Sequence, residues 1–313
     1  MFKNLVLISF ISLPLASENL LDIYNEALDN DPQYKSSEYS LLAGKEFVVQ
    51  GRAGLLPNVT LSGSTNWNEY YQFDELQSSY NNNSVTARLT QPLFRLDSWF
   101  NFKRSKKLTD ASEADFAYAQ QNLIIRTVEK YFGVLRAIDN LNAAISEEKA
   151  IKKQLDQIQQ RFEVGLSAIT EVQEAQLAYD LSLAAKIRSE GALFNAREEL
   201  NSLIGREIFS VDSLKADIVP ENPNPTTKQE WVDIALKNNY RLQASVLRRD
   251  ASQDSARSSA SEHLPKINIV GTESESNTNQ YTYEGFEDLG FQAPSETQRK
   301  NYSLSLSIPI SQG

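Results

Sequence analysis

Between residues 98 and 163 the chain has no proline and a single glycine, Gly133. Proline breaks a helix interior and glycine weakens it, so this stretch predicts one continuous helix. At 1.5 Å per residue it would run on the order of 100 Å. One compact core does not stabilise a helix of that length, which needs a partner along its side, as in a coiled coil. The partner follows directly. After a short break in "RFEVGLSAITEVQEAQ", the helical pattern resumes over residues 171–202. Leu141, Ile145, Ile151, Leu155, Ile158 and Phe162 precede the break, and Val172, Tyr179, Leu183, Ile187 and Phe194 follow it. Their helical spacing, on a background of Gln, Glu, Lys and Asn, predicts an antiparallel pair with a narrow apolar seam. Alanines at 143, 144, 175, 178, 184 and 185 leave room for further helices to approach closely.

The break carries its own local chemistry. Gly165 suits the left-handed conformation just past a helix end. Thr170-Glu171-Val172-Gln173 fits a capping box, with Thr170 accepting from the Gln173 N–H and Gln173 reaching back. Glu171 and Glu174 then fall in the first turn, where the helix dipole favours anions. This accounts for Thr170 and Glu171 without assigning them any function.

The chain also repeats itself. Ala27-Leu28 and Leu56-Pro57 in the first half align, without a gap between them, with Ala235-Leu236 and Leu264-Pro265 in the second. "VTARLTQPLF" resembles "YSLSLSIPIS" further on. Each half reads helix, helix, strand, hairpin loop, strand, which is two copies of one unit and not a short-period solenoid. The first copy opens with helical patterns at 18–30 and 32–54, with Pro32 placed to start the second. "VPENPNPTTKQEW" between the copies reads as a linker. The expected divisions are a leader at 1–17, a first repeat at 18–219 with a strand hairpin at 57–95 and a long helical hairpin at 98–205, a linker at 220–230, and a second repeat at 231–313. The second copy stops where its own long helices are expected, so the sequence reads as truncated.

The strands alternate with a period of two. Val59, Leu61, Gly63, Thr65, Trp67 and Tyr71 share one face, and Asn58, Thr60, Ser62, Ser64, Asn66 and Asn68 the other. Val85, Ala87 and Leu89 alternate with Thr86, Arg88 and Thr90, and Tyr302, Leu304, Leu306, Ile308 and Ile310 with serines. A soluble sheet over a core and a transmembrane barrel with a wet lumen both produce this pattern. Segments of about ten residues, aromatics at their ends (Trp67, Tyr70, Tyr71 and Phe73; Phe94, Trp99 and Phe100) and two long polar hairpin loops favour the barrel. Four strands are too few to close a wall, since small barrels need about eight or more, so such a chain must oligomerise.

Composition narrows the class. Among 313 residues there is no cysteine and the formal net charge is −10. Disulfides, thiol nucleophiles and Cys-ligated zinc are excluded, and the charge argues against a nucleic-acid partner. "MFKNLVLISFISLPLAS" has the layout of a secretory signal peptide, with cleavage expected near Ser17. The remainder has no stretch approaching the roughly 20 apolar residues of a transmembrane helix. His263 is the sole histidine and reads as a structural residue before a strand, and there is no glycine-rich phosphate loop, so nothing points to an enzyme. No cofactor is expected. A soluble periplasmic coiled-coil adaptor or scaffold is the remaining rival; it accounts for the leader and helical hairpin, but less well for two-faced strands with aromatic ends.

"RFEVGLSAITEVQEAQ", together with "QPLFRLDSW", "HLPKINI" and "SLSIPISQG", closely resembles the TolC family of outer-membrane efflux and secretion channels. The resemblance covers residues 18–313. It implies a mainly α-helical fold with transmembrane β-structure: a homotrimer in which each protomer gives four strands to a twelve-stranded barrel and long helices to a periplasmic tunnel. It implies a passive exit duct for small molecules or proteins that recruits an inner-membrane transporter through a periplasmic adaptor. It carries adaptor docking onto Gly165, Leu166, Ser167 and Ile169, and closure of the entrance onto Thr170 and Glu171. The family usually has Asp where this chain has Glu171, one methylene longer. The other latch partners belong to a second long hairpin expected after Gly313.

Overall fold

A computed structural model describes residues 18–214, 222–282 and 295–310. The expected signal peptide lies outside the described residues. The elements run α1 (Leu20–Asn30), α2 (Pro32–Ala53), β1 (Asn58–Gln72), β2 (Glu75–Phe94), α3 (Leu96–Glu163), α4 (Ile169–Ile204), α5 (Lys228–Asn238), α6 (Tyr240–Ala260), β3 (Lys266–Thr282) and β4 (Ser295–Ser307). One turn of 3-10 helix, Ser261–His263, stands before β3 and contains the lone histidine. The order helix, helix, strand, strand therefore occurs twice, as the internal repeat predicts. No helix among the described residues is long and apolar enough to cross a membrane.

The chain divides into two compact units. In the first, residues 1–39 and 116–239, α1 lies on the paired α3 and α4. The Asn19 side chain caps α1 by accepting from the Leu21 and Asp22 N–H groups. Ile23 and Ala27 of α1 are buried with Leu123, Tyr131 and Val134 of α3 and Leu193, Leu200 and Ile204 of α4. The Tyr131 hydroxyl donates to the Asp212 carbonyl at 2.9 Å, and Arg206 bridges Glu18 and Glu26 at 2.7 Å each. These contacts fasten the start of the described chain to the segment that follows α4. Asp31, only 3 % exposed, ends α1 and caps α2: its carboxylate accepts from the Tyr34 N–H at 3.1 Å and pairs with Arg126 of α3. Pro32 occupies the first helical position, as expected.

The predicted seam is right in kind and partly wrong in membership. Leu155 is buried, but Ile187 and Phe194 are 57 % and 63 % exposed, and the buried residues of α4 are Ala175, Ser182, Leu193, Leu200, Leu203 and Ile204. The small side chains of Ala175 and Ser182 let two helices pack closer than larger apolar ones would. Several of the larger ones, with Leu177 and Leu181, are left on an outward face.

In the second unit, residues 40–115 and 240–313, α2 packs against the first part of α3 at two glycines. A Cβ on Gly44 would lie 2.3 Å from Ser112 Oγ, and one on Gly51 2.5 Å from Ser105 Oγ. Both pairs are spaced seven apart, two turns of helix. Thr109 Oγ1 donates to the Gly44 carbonyl at 2.9 Å. α6 lies along the same helix, with Ala244 and Ala251 buried, Arg248 paired to Asp115, and Ser258 Oγ donating to the Asp97 carbonyl at 2.8 Å.

The four strands form one antiparallel sheet in the order β1-β2-β3-β4. They are longer than expected, 15, 20, 17 and 13 residues, because much of the predicted hairpin loops is strand. The expected loop "QFDELQSSYNNNS" shrinks to a two-residue turn at Phe73-Asp74, with φ of 53° and 64°. Two successive left-handed residues make the turn whose twist matches a hairpin. Of the second loop, residues 283–294 lie outside the described residues.

Candidate functional site

Two surfaces stand out among the described residues, one in each unit. The first is the turn between α3 and α4. The N–H of Leu166 donates to the Arg161 carbonyl at 2.8 Å and that of Gly165 to the Phe162 carbonyl at 2.9 Å. With Gly165 at φ 78°, this is the paired-bond motif that closes a helix C-terminus. The glycine assignment therefore holds, but the predicted capping box does not form. Ala168 is the N-cap, without a side-chain bond, and α4 already begins at Ile169. Thr170 is thus inside the helix, where its hydroxyl does not cap Gln173. Glu171 falls in the first turn as predicted, but Glu174 does not, because the helix starts earlier than the Thr170 pattern suggested. Glu171 instead accepts a bond from the Ser167 hydroxyl, four residues back. That contact forms across the entry to the helix and holds the carboxylate near its positive end.

The six residues singled out in the sequence fall on this one turn. Leu166 and Ile169 are 71 % and 51 % exposed, Gly165, Thr170 and Glu171 are exposed, and Ser167 is half-buried. A Cβ on Gly165 would meet nothing within 4 Å. The tip therefore displays apolar side chains on a rigid turn, an arrangement suited to contact and not to chemistry.

The second surface is the sheet. Its register aligns Val59 with Leu89 and Leu61 with Ala87, and Ile267 with Leu306, Ile269 with Leu304 and Gly271 with Tyr302. These residues share one face. Leu61, Tyr302 and Leu304 are 75, 79 and 69 % exposed, so no layer among the described residues covers them. The ring of Tyr302 lies over Gly271 and fills the space a side chain would take. The opposite face is a field of hydroxyl and amide groups, with Ser64 bonded to Ser84 at 2.9 Å and the Ser276 hydroxyl donating to Asn82 Oδ1 at 3.0 Å. β1 and β4 each have one strand neighbour in the sheet, so both outer edges present unpaired backbone groups.

At the helix-bearing end of the sheet, a polar junction was not legible from the sequence. Arg95 makes a two-pronged bond to Asp97, at 2.9 and 2.6 Å, and Lys266 Nζ lies 3.6 Å from the same carboxylate. Mainly through the Arg95 bond, the Asp97 carboxyl is held at about 2, below its ordinary 3.8. A carboxyl depressed in the folded state stabilises the fold above its ordinary value and loses that contribution as pH falls toward about 2. Acid titration of the purified protein will therefore weaken this junction below about pH 4, and Asp97→Asn will flatten the pH dependence of its melting temperature over that window. The sequence signal was the Arg-Leu-Asp run inside "QPLFRLDSW", but nothing in it points to the distant Lys266.

Comparison with known proteins is consistent with this geometry. The sequence profile described as outer membrane efflux protein matches residues 23–206. Outer membrane protein TolC of Vibrio cholerae is 33 % identical over 261 residues, 83 % of this chain and 59 % of that protein. Alkaline protease secretion protein AprF of Pseudomonas aeruginosa is 27 % identical over 263 residues, 81 % of this chain and 54 % of that one. The chain thus spans less than two thirds of the length of these relatives. Among solved structures, the Campylobacter jejuni CmeC outer membrane channel has the same fold, with a TM-score of 0.75 at 17 % identity over 95 % of this chain and 62 % of that one. The helix-helix-strand-strand repeat, the uncovered sheet and the profile match over most of the first repeat lead to one assignment: this chain belongs to the outer membrane efflux protein family.

Proposed function

We propose that this chain is part of a trimeric exit duct in the outer membrane, with its strands in the bilayer and its long helices in the periplasm. The observation that carries this reading is the four-stranded sheet, open at both edges among the described residues, whose uncovered face is apolar over its helix-proximal rungs, with Val59, Leu89, Ile269, Tyr302 and Leu304. Unpaired backbone in lipid costs several kcal/mol per group, so the edges must meet other strands, and three copies supply twelve. The duct is passive: it offers a polar face and a route. Relatives named for efflux and for protease secretion support export both of small molecules and of proteins. Energy and cargo selection come from an inner-membrane transporter reached through a periplasmic adaptor. The same reading gives residues 1–17 as leader, 18–219 and 231–313 as the two repeats, and 220–230 as their linker. Fractionation tests it. Recovery with the outer membrane as a cross-linkable trimer supports the duct; release by salt as a soluble monomer overturns it and favours the periplasmic scaffold.

Within that reading, Gly165, Leu166, Ser167 and Ile169 form the adaptor contact, and Thr170 and Glu171 help hold the entrance shut. Exposed apolar side chains on a glycine-fixed turn suit docking, and a carboxylate at a helix start suits a latch. Glu171 already has a local partner in Ser167, so latching competes with that bond. Glu171→Ala is expected to raise single-channel conductance if the residue latches. Unchanged conductance with only a lower melting temperature would assign it to the turn alone.

A further inference from the structure

Charge is sorted between the two faces of the sheet. By strand alternation and register, the polar face carries Asn58, Thr60, Ser62 and Ser64 of β1, and their rungs continue across β2, β3 and β4. Thr60 faces Arg88, which faces Thr272, which faces Asn301. On the next rung of the same face Ser62, Thr86, Ser274 and Arg299 align. Arg88 and Arg299 therefore lie two strands and two residues apart, roughly 12 Å. Both are exposed, and among the described residues no carboxylate pairs with either.

The carboxylates of the strands are elsewhere. Glu69, Glu273, Glu275 and Glu296 fall on the opposite face, where Glu273 neutralises Lys300 at 2.8 Å. The one carboxylate on the arginine side is Glu75, opposite Gln72 beside the Phe73-Asp74 turn. Twelve residues of strand separate that rung from Thr60, about 40 Å. The helix-proximal end of the polar face thus holds two unneutralised cations in a field of neutral hydroxyl and amide groups.

We propose that Arg88 and Arg299 form an electropositive belt that selects for anionic solutes where the strands meet the helices. The proposal rests on the exit-duct reading, in which the polar face lines the lumen. Three copies then place six guanidinium groups around one aqueous bore. Low-dielectric walls focus such a field and raise the local concentration of counter-ions, and rings of Arg or Lys are how anion pores discriminate. Carboxylate- or phosphate-bearing cargo would be drawn through this segment, and small cations would be disfavoured in it.

The test is the reversal potential of the full natural protein in a planar bilayer under a KCl gradient. Arg88→Gln with Arg299→Gln is expected to lower the chloride-to-potassium permeability ratio about two-fold or more, while Arg88→Lys with Arg299→Lys preserves it. A ratio unchanged in the glutamine variant overturns the belt. A second measurement returns the charge after assembly. The 313 residues contain no cysteine, so in the full protein with any cysteine outside them replaced, Arg299→Cys can be labelled after assembly with a cationic or an anionic methanethiosulfonate. Restoration of the ratio by the cationic label alone supports the belt, and identical ratios with both labels overturn it. Failure of the parent protein to conduct at all would instead count against the exit duct, so the two failures are distinguishable.

Discussion

Asp31→Ala will cost about 3–5 kcal/mol of stability, the range for removing one partner of a buried ion pair. Asp31 is 3 % exposed and serves two elements at once. It caps α2 through the Tyr34 N–H, and it neutralises Arg126, whose side chain is 21 % exposed. Loss of a cap alone costs about 1 kcal/mol, so most of the effect comes from Arg126 left without its carboxylate. Arg126 keeps only a 3.0 Å bond to Asn122. Asp31→Asn retains an acceptor for the cap and should lose less. Urea midpoints of the three proteins, followed by helical circular dichroism, check the ranking; equal midpoints for the aspartate and alanine forms would refute the pairing.

On the exit-duct reading, Leu304→Arg will destabilise the inserted sheet, by about 1–4 kcal/mol on the scale arginine costs on a lipid-facing strand face. Leu304 is 69 % exposed and aligned with Ile269 on the apolar face. Ser303→Arg, one residue along, places the same charge on the wet face and should be tolerated. The measurement is the yield of assembled trimer from folding into lipid vesicles. Equal yields for the two variants would mean that the apolar face does not meet lipid. The comparison is sharp because a one-residue step in a strand changes the face and little else.

Much of this fold was legible because its signals are periodic. The proline-free run required a long helix, and the alternation from Asn58 required a strand with two environments. The duplicated Leu-Pro pairs announced the repeat. What stayed hidden was set by contacts between distant residues. Nothing about Gly44 or Gly51 singles them out until Ser112 and Ser105 are seen against them. The seam misled for a related reason: Ile187 and Phe194 have the spacing of core residues, but this chain buries Ala175 and Ser182 instead and leaves the larger groups outward. Such a choice suits a helix with neighbours beyond its own hairpin. The Phe73-Asp74 turn was missed because Phe73 is not a usual left-handed former and no glycine follows Asp74, and a polar stretch around it read as loop. At the tip, Gly165 was recoverable from one residue type. The helix start was not, because Thr170 offered a better cap on paper than Ala168, yet the helix begins after Ala168 with no side-chain cap bond.

The two glycine–serine contacts between α2 and α3 have a mechanical consequence. They act as a pair of detents on one rod. A screw step of one residue, about 1.5 Å along the axis and roughly 100° around it, would bring Cβ-bearing neighbours of Gly44 and Gly51 onto Ser112 and Ser105 at the same moment. Because both stops engage together, α2 is held to one register and one rotational setting on the first part of α3. Over this stretch the two helices therefore move as one piece.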